Sequence, residues 1–371
     1  MTRNSDLTNR PLRGAVPRSH GGDDLIRGRD NQWLKRFRAA LRGAPGSHSI
    51  EGGMEIFADR SGEKASVEIG VEGPHLVGEA LRAAATGGLL VEAILVDTHG
   101  NRHLGIFAEV PEQLKARDHQ PARDDSRNTA SFSPRILRTT DELFRSIAGT
   151  ETPQGIAALV RLRERSLYEL FNAETESKAA LRPLGREANP LLVVLVGVQD
   201  PGNVGTAVRS AEAFGASGLI ATKGTANPWS QKALRASSGS ALRFPIVRGM
   251  PVEDVLDQIR LRCQTGDILR APGDVPPSSA GKARHQAGTL RIYATCVHPP
   301  KGRAVMTPEE TDWRGPVALL IGNEAVGLDE SILRAADSLI RISLAAPVES
   351  LNAGVAASLL LYEAARQRGD E

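Results

Sequence analysis

Apolar residues fall in short runs along this chain, and the period of the runs changes from place to place. Between residues 31 and 42, Trp33, Leu34, Phe37 and Leu41 recur at helical spacing. Residues 67–71 predict a strand, Gly73-Pro74 marks a turn, and Leu76, Val77, Ala80 and Leu81 predict a helix. A strand follows at 89–96, and segments 134–137, 143–147 and 156–162 repeat the strand–helix–strand order. From 191 to 198 the run is continuously apolar, as in parallel strands covered on both faces. Segments 219–221, 244–247, 292–297, 317–321 and 339–342 supply further strands, with helical patterns between most of them. Such alternation predicts a doubly wound parallel sheet.

The pattern divides the 371 residues into a tail (1–30), a small α/β unit (31–163), a charged and partly helical connector (164–190) and a second α/β domain (191–371). The tail is rich in glycine and charge and is expected to be disordered. Through Arg38 it holds nine Arg or Lys against four Asp, which suits a solvated leader or a tether for RNA phosphates. Residues 115–138 are polar and Arg-rich, and 264–289 hold Pro272, Pro276 and Pro277; both are expected to be loops. A net charge of +2 is compatible with RNA without pointing to it. Cys263 and Cys296 form no CxxC pair, so reduced structural thiols and a cytoplasmic location are expected. The N-terminus lacks the apolar core of a signal peptide, and no apolar run approaches the ~20 residues of a membrane span.

Three islands carry the candidate chemistry. The first is Asp200-Pro201-Gly202-Asn203-Val204-Gly205, followed by Arg209 and Phe214-Gly215. Proline fixes φ and glycine permits a tight turn, so Asn203 is expected near the start of a helix that Gly215 ends. Val204, Val208 and Ala211 form its buried stripe, and Gly205 is expected to leave open space for the Arg209 guanidinium. The second island, Gly322-Asn323-Glu324-Ala325-Val326-Gly327-Leu328, follows an apolar strand and offers a carboxylate at the sheet's edge. The third is Glu349-Ser350-Leu351-Asn352, where Ser350 or Asn352 can cap a helix with Val355, Leu359 and Tyr362, together with Ala356 and Leu360, on its apolar face. Small residues Ala353, Gly354 and Ala357 allow close approach of a cofactor or a second subunit.

In this order and spacing, over roughly residues 190–367, the islands resemble the three motifs of the SpoU/TrmH branch of the SPOUT methyltransferases. That resemblance implies a C-terminal trefoil-knotted, doubly wound parallel sheet. It implies transfer of a methyl group from S-adenosylmethionine to a ribose 2′-hydroxyl of RNA. Arg209, Asn203, Glu324, Ser350 and Asn352 match the family's catalytic positions. Gly322, Ile342 and Leu351, with Asn323 and Leu344, would contact the cofactor. A guanidinium suits a phosphate in bidentate geometry, whereas service as a base is harder chemistry for a group normally protonated. Homodimers are expected, with Arg209 of one subunit facing the cofactor of the other. Ala236-Ser237-Ser238-Gly239-Ser240-Ala241 resembles a small-residue segment near that site. The sequence departs from the family at Ala325, where glycine is usual, and at Ser343 and Ala346. If position 325 requires φ > 0, alanine costs about a kcal/mol.

The segments Glu72-Gly73-Pro74 and Thr152-Pro153-Gln154-Gly155-Ile156 resemble the RNA-binding domain that precedes many such catalytic domains. That favours ribosomal RNA over transfer RNA as substrate. A transfer RNA 2′-O-methyltransferase and a non-catalytic assembly factor that keeps the fold stay open. A nucleotide-dependent oxidoreductase would need GxGxxG after the first strand, and 200–205 holds no GxG. No His, Cys and carboxylate cluster stands at metal-ligand spacing, so no metal is expected.

Overall fold

The protein is described here by a computed structural model, which covers residues 25–42, 56–57, 66–105, 134–171, 189–265 and 290–369. The N-terminal elements run β1 (Leu25–Ile26), α1 (Gln32–Arg42), β2 (Ile56–Phe57), β3 (Ser66–Glu72), α2 (Pro74–Ala85), β4 (Leu89–Val96), β5 (Arg135–Thr139), α3 (Asp141–Arg145), β6 (Ile156–Arg163) and α4 (Leu167–Phe171). The C-terminal elements run β7 (Leu191–Leu195), α5 (Pro201–Ala213), β8 (Gly218–Ala221), α6 (Gln231–Ala236), β9 (Ile246–Arg248), α7 (Val252–Thr265), β10 (Arg291–Thr295), β11 (Val305–Met306), β12 (Val317–Ile321), α8 (Glu330–Ala335), β13 (Ser338–Ile340) and α9 (Ala353–Gly369).

The first six strands form one mixed sheet in the order β1-β5-β4-β6-β3-β2. β6 runs antiparallel to both its neighbours, while β5 pairs in parallel with β1 and β4. Helix α1 closes one face through Leu34, Phe37 and Leu41, which pack with Phe144 and Leu159. Helix α2 closes the other through Leu76, Val77, Ala80 and Leu81. The remaining seven strands form a second sheet, β11-β13-β10-β12-β7-β8-β9, and every pair in it is parallel.

The continuous apolar run at 191–195 has a two-faced use. Leu191, Val193 and Leu195 pack with Val204, Val208 and Leu360 on the side of α5 and α9. Leu192 and Val194 pack with Val255, Ile259 and Ile332 on the side of α7 and α8. A run buried on both faces therefore reads as unbroken hydrophobicity although the side chains alternate.

Several expectations need correction. Leu25–Ile26 is not tail but an edge strand paired with Arg138–Thr139, and Thr139 Oγ1 donates to the Ile26 carbonyl. The strand expected at 134–137 is β5 (Arg135–Thr139), so the loop expected over 115–138 ends before it, and Leu137 is buried with α1. The ninth strand starts at Ile246 instead of 244, and Phe244 packs beside it. The two-residue strands β2 and β11 carry too little pattern to be seen in sequence. Residues 1–24 and 266–289 lie outside the described residues.

Candidate functional site

Strand order places the site. β7 continues to β8 and β9 on one side, and β12, β10 and β13 lie on the other. The chain leaves the carboxyl ends of the adjacent strands β7 and β12 in different directions, which opens a crevice there. The first island follows β7 and the second follows β12.

Helix α5 starts where the physics of capping requires. Asp200 is its N-cap, with its side chain accepting from the Gly202 amide at 2.5 Å, and Pro201 fills the first turn. The Lys232 ammonium, 2.9 Å away, and then the Gly202 amide hold the Asp200 carboxyl below its usual range. Gly215 ends the helix at φ +71°, and the Ala216 amide returns to the Ala211 carbonyl at 2.8 Å.

Across the crevice the first and second islands meet. Asn203 Nδ2 donates to Glu324 Oε1 at 2.7 Å, and Asn352 Nδ2 donates to Asn203 Oδ1 at 2.6 Å. The Asn203 amide is thus fixed at both ends, donor toward the carboxylate and acceptor toward the third island. Asn352 also caps α9, since its Oδ1 accepts from the Val355 amide at 3.1 Å. Asn323 ties the second island down: its Nδ2 donates to the Gly197 carbonyl at 2.7 Å and its Oδ1 accepts from the Ala325 amide at 2.8 Å. Three of the five candidate catalytic residues, Asn203, Glu324 and Asn352, form one polar chain.

The other two stand apart. Arg209 is exposed and makes no hydrogen bond or ion pair with a described residue. It follows Asn203 by six residues, so it lies about 9 Å along the helix and about 120° around it. Ser350 is exposed and caps nothing among the described residues.

The space expected above Gly205 is filled. A Cβ there would lie 2.4 Å from the Ala233 carbonyl oxygen and 2.7 Å from the Ala236 Cβ, so this glycine lets α6 touch α5. Gly354 does the same for α9, where a Cβ would sit 2.9 Å from Thr206 Cβ. The close approach allowed by the third island is therefore made to α5. Gly322 meets the returning loop instead of open space, with a Cβ position 2.5 Å from the Gly327 carbonyl carbon. Ala325 carries no strain, because the positive φ of that loop falls on Gly327 at +72°.

Ile342, Leu344 and Leu351 are half-buried, and Ile342 packs against the core. Val326 and Val348, on the loops of the second and third islands, are exposed apolar side chains. Sequence reasoning took 292–297 as a strand and no more, whereas β10 ends at Thr295 beside the site. That strand lies between β12 and β13, so its end stands between the second and third islands. Thr295 Oγ1 donates to the Leu320 carbonyl at 3.1 Å and the Cys296 amide to the Ile340 carbonyl at 2.9 Å. Only the sheet order reveals this neighbour. Burial raises the Cys296 thiol pKa, against the opposing fields of Arg341 and Arg303.

Helix α9 overturns one expectation. Of the expected apolar face Leu360 is buried, with Ala353, Ala357, Leu361 and Ala364, whereas Val355, Leu359 and Tyr362 are 44%, 46% and 56% exposed. Phe214 meets Tyr362 edge-on, with ring centroids 5.8 Å apart.

Comparison with known proteins follows the same lines. The SpoU rRNA Methylase family model matches residues 190–271 and 278–362. A 23S rRNA (guanosine-2′-O-)-methyltransferase RlmB of Xylella fastidiosa (strain Temecula1) is 33% identical over 233 residues, 63% of this chain and 78% of the relative. The 23S rRNA (guanosine(2553)-2′-O)-methyltransferase RlmP of Bacillus subtilis is 27% identical over 293 residues, 79% of this chain and 86% of the relative. Among solved structures, the SpoU methyltransferase AviRb from Streptomyces viridochromogenes, in complex with AdoMet, superposes with a TM-score of 0.60 at 23% identity. That match covers 91% of this chain and 98% of AviRb.

Proposed function

The chain belongs to the SpoU rRNA methylase family, and from that premise we infer that it is an S-adenosylmethionine-dependent methyltransferase acting on the ribose 2′-hydroxyl of ribosomal RNA. The observation that carries this reading is the chain Asn352–Asn203–Glu324, built across the crevice between β7 and β12. A degenerate relative kept only for its fold would have no reason to retain three matched polar groups in mutual contact.

The residues present fit the cofactor. Ile342, Leu344 and Leu351, half-buried, would offer apolar surface for an adenosyl group, with backbone of Gly322 and Asn323 from the neighbouring island. Bound there, S-adenosylmethionine supplies a sulfonium methyl for in-line transfer to a ribose 2′-oxygen. Asn203 has one orientation only, because reversing its amide would set its oxygen against Glu324 Oε1 and its NH2 against the Asn352 donor. The network therefore presents a fixed carboxylate and a fixed amide, and positioning of this kind contributes much of the rate. Arg209 serves as a cation for an RNA phosphate or for charge at the reacting oxygen.

The working unit in this reading is a homodimer. Within one chain Arg209 stands outside the polar network, and the stripe Val355, Leu359, Tyr362 at i, i+4, i+7 on α9 stays about half exposed, with Phe214 against Tyr362. A second copy would cover that stripe and bring its own Arg209 to the network. The reading carries a cytoplasmic location with it. No metal is invoked, and no group of three metal-ligating side chains occurs among the described residues.

The test is transfer of labelled methyl from S-adenosylmethionine to purified ribosomal and transfer RNA from cells lacking the gene. Label as 2′-O-methyl nucleotide in ribosomal RNA, lost in Arg209→Ala and in Asn203→Ala, is the expected result. Label in transfer RNA alone would overturn the substrate, and no label with no cofactor binding would overturn the enzyme. Mixing the two inactive variants tests the dimer: each mixed dimer regains one whole site, about half of a wild-type dimer's activity, only if each site draws Arg209 and Asn203 from different subunits.

A further inference from the structure

Helix α5 is gripped in three places. α6 closes on it at Gly205, and α9 closes on it at Gly354, where Ser210 Oγ and Ser358 Oγ lie 2.6 Å apart. The third grip holds its last turn, through an arginine of the same unit that reaches on to α2 of the other. Arg243 forks onto Glu212 of α5, Nε to Oε1 at 2.6 Å and Nη2 to Oε2 at 2.8 Å, while its Nη1 donates to Glu79 Oε2 of α2 at 2.6 Å. The three side chains are sheltered, with 29%, 22% and 16% of their surface exposed for Arg243, Glu212 and Glu79. Nearby contacts join the same two units: His75 Nε2 lies 3.0 Å from Ser238 Oγ, and Gln231 Nε2 donates to the Gly70 carbonyl at 2.6 Å. Gly239, at φ +84°, has no room for a side chain, since a Cβ would lie 2.6 Å from Glu79 Cγ.

We propose that Glu79 and Arg243 are positioning residues for methyl transfer, linking the N-terminal RNA-binding unit to the helix that bears Arg209. The inference rests on the methyltransferase reading above and adds to it a route between the two units. Glu212 follows Arg209 by three residues and so stands on the neighbouring side of the same helical turn. A guanidinium fork fixes both distance and plane, which a single ammonium cannot do. Without Arg243 the Glu212 carboxylate would lose its fork, Glu79 would keep only the Arg82 of its own helix, and the ionic link between the two units would be lost at this point. RNA held on the N-terminal unit would then lose its register with Arg209, while the cofactor edge at 342–351, on other elements, would be untouched.

The experiment uses the full chain, ribosomal RNA and S-adenosylmethionine. Arg243→Gln is expected to lower kcat roughly tenfold, as loss of register between reacting groups does, with KM for RNA within about twofold and cofactor affinity unchanged. Arg243→Lys recovers part of the loss. Glu79→Gln moves kcat the same way by less, and the double variant Glu79→Gln/Arg243→Gln is no worse than Arg243→Gln alone. An unchanged kcat with only a lowered melting temperature would overturn the proposal, since that is what mere packing predicts. If Arg243→Gln fails to fold, Glu79→Gln carries the test, because it leaves the fork on Glu212 intact. A wild-type chain that transfers no methyl group overturns this proposal and the function together; a working wild type matched by Glu79→Gln and Arg243→Gln overturns the bridge alone.

Discussion

The two sheets of this protein are similar in size and differ in what their edges can do. The N-terminal sheet is mixed, so consecutive strands such as β3 and β4 flank β6, whose direction opposes theirs. Its strand ends point both ways, and no single edge collects loops. The C-terminal sheet is parallel throughout, so the loops after β7, β10, β12 and β13 all emerge on one edge. The polar chain Asn352–Asn203–Glu324 lies on that edge, at the point where strand order reverses. The N-terminal sheet is fitted to present a surface, and the C-terminal sheet to converge groups from distant parts of the chain.

The sharpest way to break this comparison is to jam one glycine in each unit. A Cβ on Gly205 would lie 2.4 Å from the Ala233 carbonyl oxygen, and a Cβ on Gly100 would lie 1.8 Å from the Gly155 carbonyl oxygen. Both obstacles are backbone and cannot swing aside. Each alanine substitution should cost more than about 3 kcal/mol, at or above the upper end for overpacking. The consequences should differ. Gly205→Ala displaces α5 and should remove cofactor binding and activity together. Gly100→Ala should weaken RNA affinity while calorimetry still finds normal S-adenosylmethionine binding. Loss of cofactor binding in both would mean that the units are not functionally separable.

Neighbours on α9 give the next contrast. Leu360 is fully buried against β7 and β12, whereas Leu359 is 46% exposed. Leu360→Ala should cost about 3 kcal/mol in denaturant unfolding, the usual figure for a leucine cavity. Leu359→Ala should change monomer stability by less than about 0.5 kcal/mol and instead raise the dimer dissociation constant in sedimentation. A Leu359→Asp chain that remains dimeric at micromolar concentration would remove this stripe from the interface.

At the polar chain, Asn203→Ala should lower kcat about 100-fold, near 2.7 kcal/mol in transition-state terms. Little stability should be lost, because Asn203 and Glu324 are only half-buried. Asn203→Asp should be at least as damaging, since it sets a second carboxylate against Glu324. An active Asn203→Ala enzyme would leave the three-residue contact without a catalytic meaning.

Much of the fold was legible because its signals are local. The apolar run at 191–195 and the Asp200-Pro201 cap announce their structures within a few residues. The meeting of Asn203 with Glu324 and Asn352 was legible only through family resemblance, because 121 and 149 residues separate the partners. Two readings went wrong for one reason. Gly205 seemed to leave open space, and Val355, Leu359 and Tyr362 seemed to be a core face. Periodicity states that a helix has two sides without saying which neighbour covers either one. The face that packs on α5 is built of Ala353, Gly354 and Ala357, whose small size matters more than their hydrophobicity.

The smallest expected effect separates the two units by charge. Glu92, at a bulge in β4, has its carboxyl held below the ordinary value first by the hydrogen bond from Arg36, with Arg161 also close. Asp200 is lowered first by Lys232 and then by the Gly202 amide. Both shifts have the same sign. Each contributes stability that is present above the unfolded pKa, about 4.3 for Glu and about 3.9 for Asp, and is lost as pH falls through the lower folded value. Melting temperature followed from about pH 7 to pH 3 should therefore fall less steeply in Glu92→Gln and in Asp200→Asn than in the wild type. Asparagine keeps the helix cap, so the second variant removes the charge alone. Salt should tell them apart. The Lys232–Asp200 pair is 61% and 46% exposed, and about 0.5 M salt should screen it almost completely. The Arg36–Glu92 pair is 31% and 24% exposed and shares its arginine with Glu68, so its part of the acid limb should persist. Equal salt sensitivity in the two variants would mean that the bulge shields its charges no better than the open rim of the crevice does.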